Sequence, residues 1–351
     1  MAKLRPPALV PDVVPGRLRE LEEIYALIER LGADADVRVL TRVDVHGSQL
    51  PVHGLVLGTS DRSAPTLLVV GGVHGLERIG TRVVIAYLHT LTESLRWDAV
   101  LRETLERSRI CLVPLVNPGG MLERTRSNPA GVDLMRNAPV SAGAQSTFLV
   151  GGHRLSPELP WYMGEGEAME PEAEALCRFV EEEVFGSDVA IGVDCHSGFG
   201  FEDQLWFPYA RTRAPFPHLP EVFAIKRLLD ATLPNHVYRV EPQAKNYTVH
   251  GDLWDYLHDR YQECRPDGCF LPLTLEMGSW TWIKKNPRQA FDILGTFNPI
   301  KPHRLRRTLR RHIPLFDFLL RAAASPAAWA RADTLLREER AAEAFELWYA
   351  D

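Results

Sequence analysis

The sequence predicts an α/β protein with a mixed, mostly parallel twisted sheet and helices on both faces. Three apolar runs carry this prediction, namely TLLVV at 66–70, SRICLVPLV at 108–116 and DVAIGVD at 188–194. Each run leads into turn residues, and longer amphipathic stretches separate the runs along the chain. Apolar strands that alternate with helices are typical of a parallel sheet that is covered on both sides.

The first elements of the chain can be assigned in order. Residues 17–32 (RLRELEEIYALIERLG) have leucine and isoleucine at helical spacing and end on glycine, which predicts a helix. Two alternating, β-branched runs at 37–47 and 50–60 meet at a Gly-Ser pair and predict a hairpin. Residues 76–95 predict a long helix that packs on the sheet.

The later elements repeat this alternation. Residues 171–186 are amphipathic and predict a helix, with Glu172 and Glu183 among the glutamates that we expect to face solvent. Residues 269–280 (CFLPLTLEMGSW) predict a strand that ends in a loop. Residues 140–170 are rich in glycine, serine and proline, and predict a long functional loop.

The chain changes character near its C-terminus. The segment at 301–315 (KPHRLRRTLRRHIPL) is strongly basic, and the residues after it are rich in alanine and helical in pattern. We expect one large domain over residues 1–300. Residues 301–351 would then form a basic and alanine-rich helical tail packed on the same domain, with a partner contact as the alternative.

Composition argues against several classes of protein. The net charge of -6 gives no support for nucleic-acid binding. No stretch approaches the roughly 18 apolar residues of a membrane helix, and the N-terminal MAKLRPPALVPDVVPG does not resemble a secretory signal. The five scattered cysteines do not suggest a disulfide framework. We therefore expect reduced thiols and a cytoplasmic location; the sequence does not indicate an oligomeric state.

Three side chains at predicted strand ends suggest a metal site. His74 and Glu77 follow the strand at 66–70, and His196 follows the strand in VDCHSG. Open α/β sheets bind their ligands at the carboxyl ends of strands. A catalytic zinc site needs three ligands of the His and Glu kind and one open position for water. The pattern predicts one zinc ion per chain, although a histidine like His196 can also belong to the core.

The H-x-x-E pattern by itself is a weak indication of metal binding. The chain has a second copy, from His218 to Glu221, in a proline-rich loop that no strand precedes. We interpret this copy as structural. The context of His74, at the end of a buried strand, distinguishes the first copy.

Acid–base groups and arginines occur at further strand ends and turns. Glu276 follows an apolar run in LTLEMGSW, where it is either ion-paired or the general base that takes a proton from the attacking water. The turn-rich segment 117–139 carries Arg124, Arg126 and Arg136. Surface salt bridges would explain them, but guanidinium groups also stabilise oxyanions and bind carboxylates.

Taken together, these motifs resemble the zinc carboxypeptidase family, the carboxypeptidase A-like metallohydrolases. The matching elements are a strand followed by H-x-x-E, an N-P-G turn, R-x-N-x-x-G-V-D-L-x-R-N, D-x-H-S-G and L-E-M-G, in that order between about residue 66 and 280. The resemblance implies the family fold. It implies His74, Glu77 and His196 as zinc ligands and Glu276 as the general base.

The resemblance also implies roles for three further residues. Arg126 matches the arginine that stabilises the tetrahedral oxyanion, and Arg136 matches the arginine that binds the terminal carboxylate of the substrate. Tyr247 matches a mobile tyrosine that covers the substrate. From this resemblance we expect a zinc metalloprotease, a carboxypeptidase that removes C-terminal residues from peptides.

One position departs from the family pattern. The family usually reads D-L-N-R, whereas this chain reads Asp133-Leu134-Met135-Arg136. Methionine cannot donate a hydrogen bond, and losing one donor to a charged group costs about 1.5–3 kcal/mol. A different hold on the carboxylate, or a substrate other than an ordinary peptide, therefore stays open.

Two alternative functions remain at this point. Deacylases of the aspartoacylase and succinylglutamate desuccinylase type also resemble carboxypeptidases, favour H-G-x-E as in residues 74–77, and act on small N-acyl amino acids. A non-catalytic zinc-binding or peptide-binding module is the third possibility, and losing Glu276 or Arg126 would be its mark. For side-chain specificity, the candidates are Asp252, Trp254 and Asp255.

Overall fold

The computed structural model describes residues 18–350; the proline-rich N-terminal segment, with the expectations that rest on it, and Asp351 lie outside this range. The described strands are β1 Asp36–Val45, β2 Ser48–Gly58, β3 Thr66–Gly71, β4 Arg109–Val113, β5 Val189–Ser197, β6 Asp203–Phe207, β7 Tyr238–Pro242 and β8 Cys269–Met277. The α-helices are α1 Arg19–Leu31, α2 Arg78–Ser94, α3 Ala99–Leu105, α4 Pro118–Glu123, α5 Pro171–Glu183, α6 Leu219–Thr232, α7 Leu253–Cys264, α8 Trp280–Lys285, α9 Ile293–Phe297, α10 Pro302–Ala323 and α11 Thr334–Trp348.

All eight strands form one mixed sheet in the order β1-β2-β4-β3-β5-β8-β6-β7. The four central strands β4, β3, β5 and β8 run parallel to one another. The hairpin partners β1 and β2 are antiparallel, and antiparallel pairs also join β2 to β4 and β6 to β8. The predicted α/β class, with its mostly parallel sheet and early hairpin, is confirmed.

The central strands are the core of the protein. Every residue of β3, β4, β5 and β8 is buried, as a parallel sheet covered by helices requires. Helices α2 and α10 pack against β3 and β5, whereas α5 packs against β1 and α7 against β8. The parallel strands therefore bring their carboxyl ends to one edge of a rigid, covered sheet.

Helix α5 departs from its predicted exposure. Glu172 and Glu183 were expected to face solvent, but they are only 2% and 1% exposed. Glu183 forms ion pairs with Arg38, Arg62 and Arg109, which come from other parts of the chain. Helical periodicity cannot predict this arrangement, because three distant cations compensate the burial of one carboxylate.

The C-terminal helices pack on the same body. Leu315, Phe316 and Leu319 of α10 are fully buried in the hydrophobic core. Helix α11 packs against α6, where Arg337 lies 2.8 Å from Glu221. A domain boundary at residue 300 stays a prediction. Between residues 18 and 350, no helix combines the length and the apolar character that crossing a bilayer requires.

Candidate metal centre

A sharp turn joins β3 to α2 and carries the first two predicted metal ligands. Gly72 lies in the left-handed region with a φ of 68°, which suits glycine. In α2 itself, a Cβ on Gly80 would be 2.1 Å from the carbonyl oxygen of Cys195. The missing side chain therefore lets the start of α2 approach β5. This approach puts Glu77, which directly precedes α2, beside His196 near the end of β5.

His74, Glu77 and His196 form a cluster that can hold a metal ion. Their ligand atoms all lie within 4.8 Å of one another, and the three side chains are buried. Nδ1 of His74 is 3.0 Å from Glu77 Oε1, and Nδ1 of His196 is 3.2 Å from both His74 Nδ1 and Glu77 Oε2. Ligand atoms bound about 2.0–2.1 Å from a tetrahedral zinc would be about 3.3 Å apart. The donor set and its spacing therefore fit a catalytic zinc ion.

Two buried aspartates lie behind the two histidines. Asp133 Oδ1 is 3.0 Å from Nε2 of His74, and Asp194 Oδ2 is 2.6 Å from Nε2 of His196. Carboxylates commonly fix the tautomer and the orientation of metal-binding histidines in this way. Since Nε2 of each ring is engaged, Nδ1 is the nitrogen that faces Glu77. Both aspartates are part of the sequence motifs that resemble the family, but the sequence alone suggested no role for either of them.

The electrostatics of this cluster favour its charged forms. Burial alone would raise the pKa of Asp133, but the charges of Arg126 and His74 hold that pKa well below its usual value. Burial alone would lower the pKa of His196, but the charge and hydrogen bond of Asp194 raise it well above its usual value. Burial also opposes ionisation of Glu77, whose pKa the two histidines nevertheless lower.

Arg126 borders the cluster and is held in place by two carboxylates. Its Nε donates to Asp133 Oδ2 at 2.8 Å, and its Nη1 donates to Glu77 Oε1 at 3.2 Å. The neighbouring Arg124 is exposed and adopts a left-handed backbone conformation with a φ of 60°. Of the two arginines, only Arg126 lines the cavity that adjoins the metal cluster, which is called the central cavity below.

Glu276 lies on β8 in register with His196 on β5. It is 6% exposed, and its Oε1 accepts a hydrogen bond from the backbone N–H of Phe199 at 3.0 Å. Burial, followed by the negative charge of Glu77, raises the pKa of Glu276 to about 8. A pKa close to the working pH suits a group that accepts a proton in one step and returns it in the next.

One cavity of about 600 Å³ connects all seven predicted site residues. Besides the metal cluster, Glu276 and Arg126, it is lined by Arg136, Tyr247 and Met135. Arg136 donates from Nε to the carbonyl of Val150 and from Nη1 to that of Met135, both at 3.2 Å. Burial raises the pKa of Tyr247 to about 12. Its phenol is therefore neutral and can donate a hydrogen bond.

The predicted specificity residues lie elsewhere. Asp252 caps the start of α7 by accepting the N–H groups of Trp254 and Asp255 at 2.9 Å. Asp255 accepts the N–H of Arg211 at 2.8 Å. None of the three lines the central cavity among the described residues. Oδ1 of Asp252 and the carboxylate of Asp255 accept backbone N–H groups of a helix start and a loop, so a role of these residues in side-chain specificity stays a prediction.

Most of the remaining cavity wall is apolar and was not recognised from the sequence. The predicted functional loop 140–170 contributes residues to this wall, as does the segment after Glu276. The residues concerned are Val150, Pro160 and Trp161 of the loop and Ile293 and Phe297 after Glu276; Phe199, which follows β5, also lines the wall. Val150, Pro160 and Trp161 lie in an irregular segment without a periodic pattern, and Ile293 and Phe297 lie in a helix of only five residues, so only the general character of the loop could be predicted.

The chain belongs to the zinc carboxypeptidase family, whose model matches residues 40–279. This match confirms the resemblance, and the cluster at His74, Glu77 and His196 can hold the zinc that the family name implies. Mouse carboxypeptidase A4 is 23% identical over 265 residues, which are 70% of this chain and 60% of that protein. Murein peptide amidase A of Escherichia coli K12 is 30% identical over 115 residues, which are 32% of this chain and 43% of that protein. The chain thus spans no more than 60% of these curated relatives.

Solved structures show the same fold at low sequence identity. Bovine thrombin-activatable fibrinolysis inhibitor, in complex with a tick carboxypeptidase inhibitor, superposes with a TM-score of 0.63 and 15% identity over 90% of this chain and 98% of that one. Carboxypeptidase A from Helicoverpa armigera superposes with a TM-score of 0.64 and 18% identity over 87% of this chain and 72% of that one.

Proposed function

We propose that this protein is a zinc-dependent hydrolase that cleaves an amide bond next to a free carboxylate, acting as a carboxypeptidase on peptides. The convergence of His74, Glu77 and His196 with Glu276 and two arginines around one cavity supports the proposal most strongly. The family match supports the same reaction. A purely binding module would have no need for the buried Glu276.

In the proposed reaction each group has one task. Zinc held by the three ligands would supply a Lewis acid for the amide carbonyl and lower the pKa of water to about 7. Glu276 takes the proton of the attacking water at its carboxylate and delivers it to the leaving amine. Arg126 stabilises the oxyanion, for which Nη2 remains available because it makes no hydrogen bond with residues 18–350.

Arg136 supplies the positive charge that recognises the terminal carboxylate. Its guanidinium is held by the two backbone carbonyls that accept from Nε and Nη1, and its Nη2 has no hydrogen-bond partner in the described chain. Tyr247 contacts Phe199 and Trp206 edge-on, with ring centroids 5.9 Å apart in each case, and would cover the bound substrate.

The free cysteines, four buried and one exposed, support a reducing, cytoplasmic location.

A hydrolysis panel tests this function. The zinc-loaded protein is offered peptides with a free C-terminal acid, the same peptides as C-terminal amides, and N-acetyl and N-succinyl amino acids. We expect cleavage of the free-acid peptides and little cleavage of the amides. The Glu276→Gln variant, prepared identically, controls for contaminating peptidases. Cleavage of the N-acyl amino acids alone would instead show that the protein is a deacylase. The position of Met135 beside Arg136 in the cavity favours this alternative.

A further inference from the structure

His196 is oriented by a buried carboxylate on its own strand. Asp194 precedes it by two positions on β5, so that both side chains point to the same face of the sheet. Asp194 Oδ2 lies 2.6 Å from His196 Nε2, and the two residues are 0% and 4% exposed. This contact turns Nδ1 of His196 toward the other metal ligands.

The same oxygen of Asp194 has a second donor that comes from another element. Nε1 of Trp254, in the first turn of α7, donates to Asp194 Oδ2 at 2.9 Å. Oδ1 of Asp194 is buried and makes no hydrogen bond within residues 18–350. The indole is therefore the one donor besides His196 that sets the direction of this carboxylate in the described structure.

Trp254 is itself rigidly placed. Its side chain is 3% exposed, and its backbone N–H donates to Asp252 Oδ1, the cap of α7, at 2.9 Å. It does not line the cavity that holds the ligands. Any influence of Trp254 on a metal ion must therefore pass through Asp194 and His196.

Each of the two candidate histidine ligands is oriented by a buried aspartate, and the two aspartates accept hydrogen bonds from different kinds of donor. Behind His74, the carboxylate of Asp133 is held by the charged Nε of Arg126 at 2.8 Å. Behind His196, the carboxylate of Asp194 is held by a neutral indole. Arg126 also touches Glu77 and borders the cavity, so it serves the reaction as well as the histidine. Trp254 has no such second role.

We propose that Trp254 is a positioning residue of the metal centre, whose indole N–H fixes Asp194 and, through it, the orientation of His196. The proposal rests on the proposed function only in taking His196 as a metal ligand. Without the indole, His196 is the one remaining partner of this carboxylate in the described structure, and the two side chains can turn together because χ2 of aspartate has a broad energy well. The loss of such outer hydrogen bonds typically weakens metal binding roughly 10–100-fold.

The test is the zinc affinity of Trp254→Phe, measured by competition with a chelator, against a matched tryptophan variant. Trp329 is 1% exposed, and its Nε1 donates to the carbonyl of Ala322 at 2.8 Å. Trp254→Phe and Trp329→Phe each remove one buried indole hydrogen bond, so both should lower the melting temperature of the metal-free protein. We expect only Trp254→Phe to bind zinc roughly 10–100-fold more weakly. Unchanged zinc affinity in Trp254→Phe would overturn the proposal.

A double-variant cycle tests whether the effect passes through Asp194. If it does, Asp194→Asn with Trp254→Phe should bind zinc no more weakly than Asp194→Asn alone. Fully additive losses would refute the proposal. Trp254→His keeps a ring N–H and should therefore bind zinc more tightly than Trp254→Phe. If Trp254→Phe does not fold, Trp254→His takes its place in the comparison. Because no substrate is involved, a wild type that binds zinc but cleaves no amide would contradict only the proposed hydrolase.

Discussion

His196 and Glu276 are register partners on the adjacent parallel strands β5 and β8. Side chains of register partners point to the same face of a sheet, so a predicted metal ligand and a predicted base are neighbours because of strand pairing alone. One strand further on, Gln204 of β6 pairs with Glu276 in antiparallel register. The strand segment that carries Glu276, the predicted base, is therefore paired with a neighbouring strand on both sides, which fixes the position of this residue.

Replacing Glu276 by glutamine should separate catalysis from metal binding. Glutamine has nearly the same shape but cannot accept the proton of the attacking water, so we expect turnover to fall roughly 10²–10⁴-fold. Zinc content, measured by elemental analysis, should stay at one ion per chain. Near-normal turnover would show that another group is the base.

Replacing Arg126 by alanine should slow the reaction roughly 10²–10³-fold, as the loss of one oxyanion donor typically does. Because Arg126 also holds Asp133 and Glu77, zinc binding should weaken too, and rates must be compared at saturating zinc. Arg124→Ala is the control, since this exposed arginine lies outside the cavity. A larger rate loss in Arg124→Ala than in Arg126→Ala would contradict the assignment.

Replacing Met135 by asparagine should restore a donor beside Arg136 in the cavity. We expect tighter binding of ligands with a free carboxylate, by about 1.5–3 kcal/mol, which corresponds to tenfold or more in affinity. The measurement is the inhibition constant of a free amino acid product, with its amide as the control ligand. Equal effects on acid and amide would mean that Met135 does not face the carboxylate.

Folding stability should depend on pH through His312 of α10. This histidine is fully buried, and burial lowers its pKa to about 4 against the opposing charge of Asp203. In the unfolded chain a histidine has a pKa of about 6.5, so between about pH 6.5 and 4 the unfolded state binds more protons than the folded state. The contribution of His312 to the free energy of unfolding is therefore fully present above about pH 6.5 and is lost as the pH falls toward 4. The contribution of this one group is about 3 kcal/mol.

Unfolding by urea between pH 4.5 and 7 measures this dependence. His312→Gln should flatten the decline of unfolding free energy at low pH, because the variant has no group to protonate at this position. His303→Gln alters an exposed histidine of the same helix and should leave the decline unchanged. An equally steep decline in His312→Gln would assign the pH dependence to other buried groups.

Much of the candidate site could be predicted because its polar residues directly follow strands and helices that hydrophobic patterns reveal. Apolar strands and amphipathic helices are recognised from neighbouring residues, and the polar residues that follow them fall at one sheet edge. The carboxylates of Asp133 and Asp194 were harder to interpret. Asp133 is 59 positions from His74, and Trp254 is 60 positions from the aspartate that it holds, so neither contact is marked by local spacing.

The sequence by itself determined the order of the strands along the chain and the placement of the candidate ligands at strand ends, because hydrophobic periodicity is a local property. Only the tertiary structure decided that Glu183 is buried among arginines and that the indole of Trp254 donates to Asp194, which lies behind the predicted ligand His196. These outcomes depend on which distant side chains packing brings together. A buried polar group is stable only with such a partner, and one-dimensional spacing does not encode the partner.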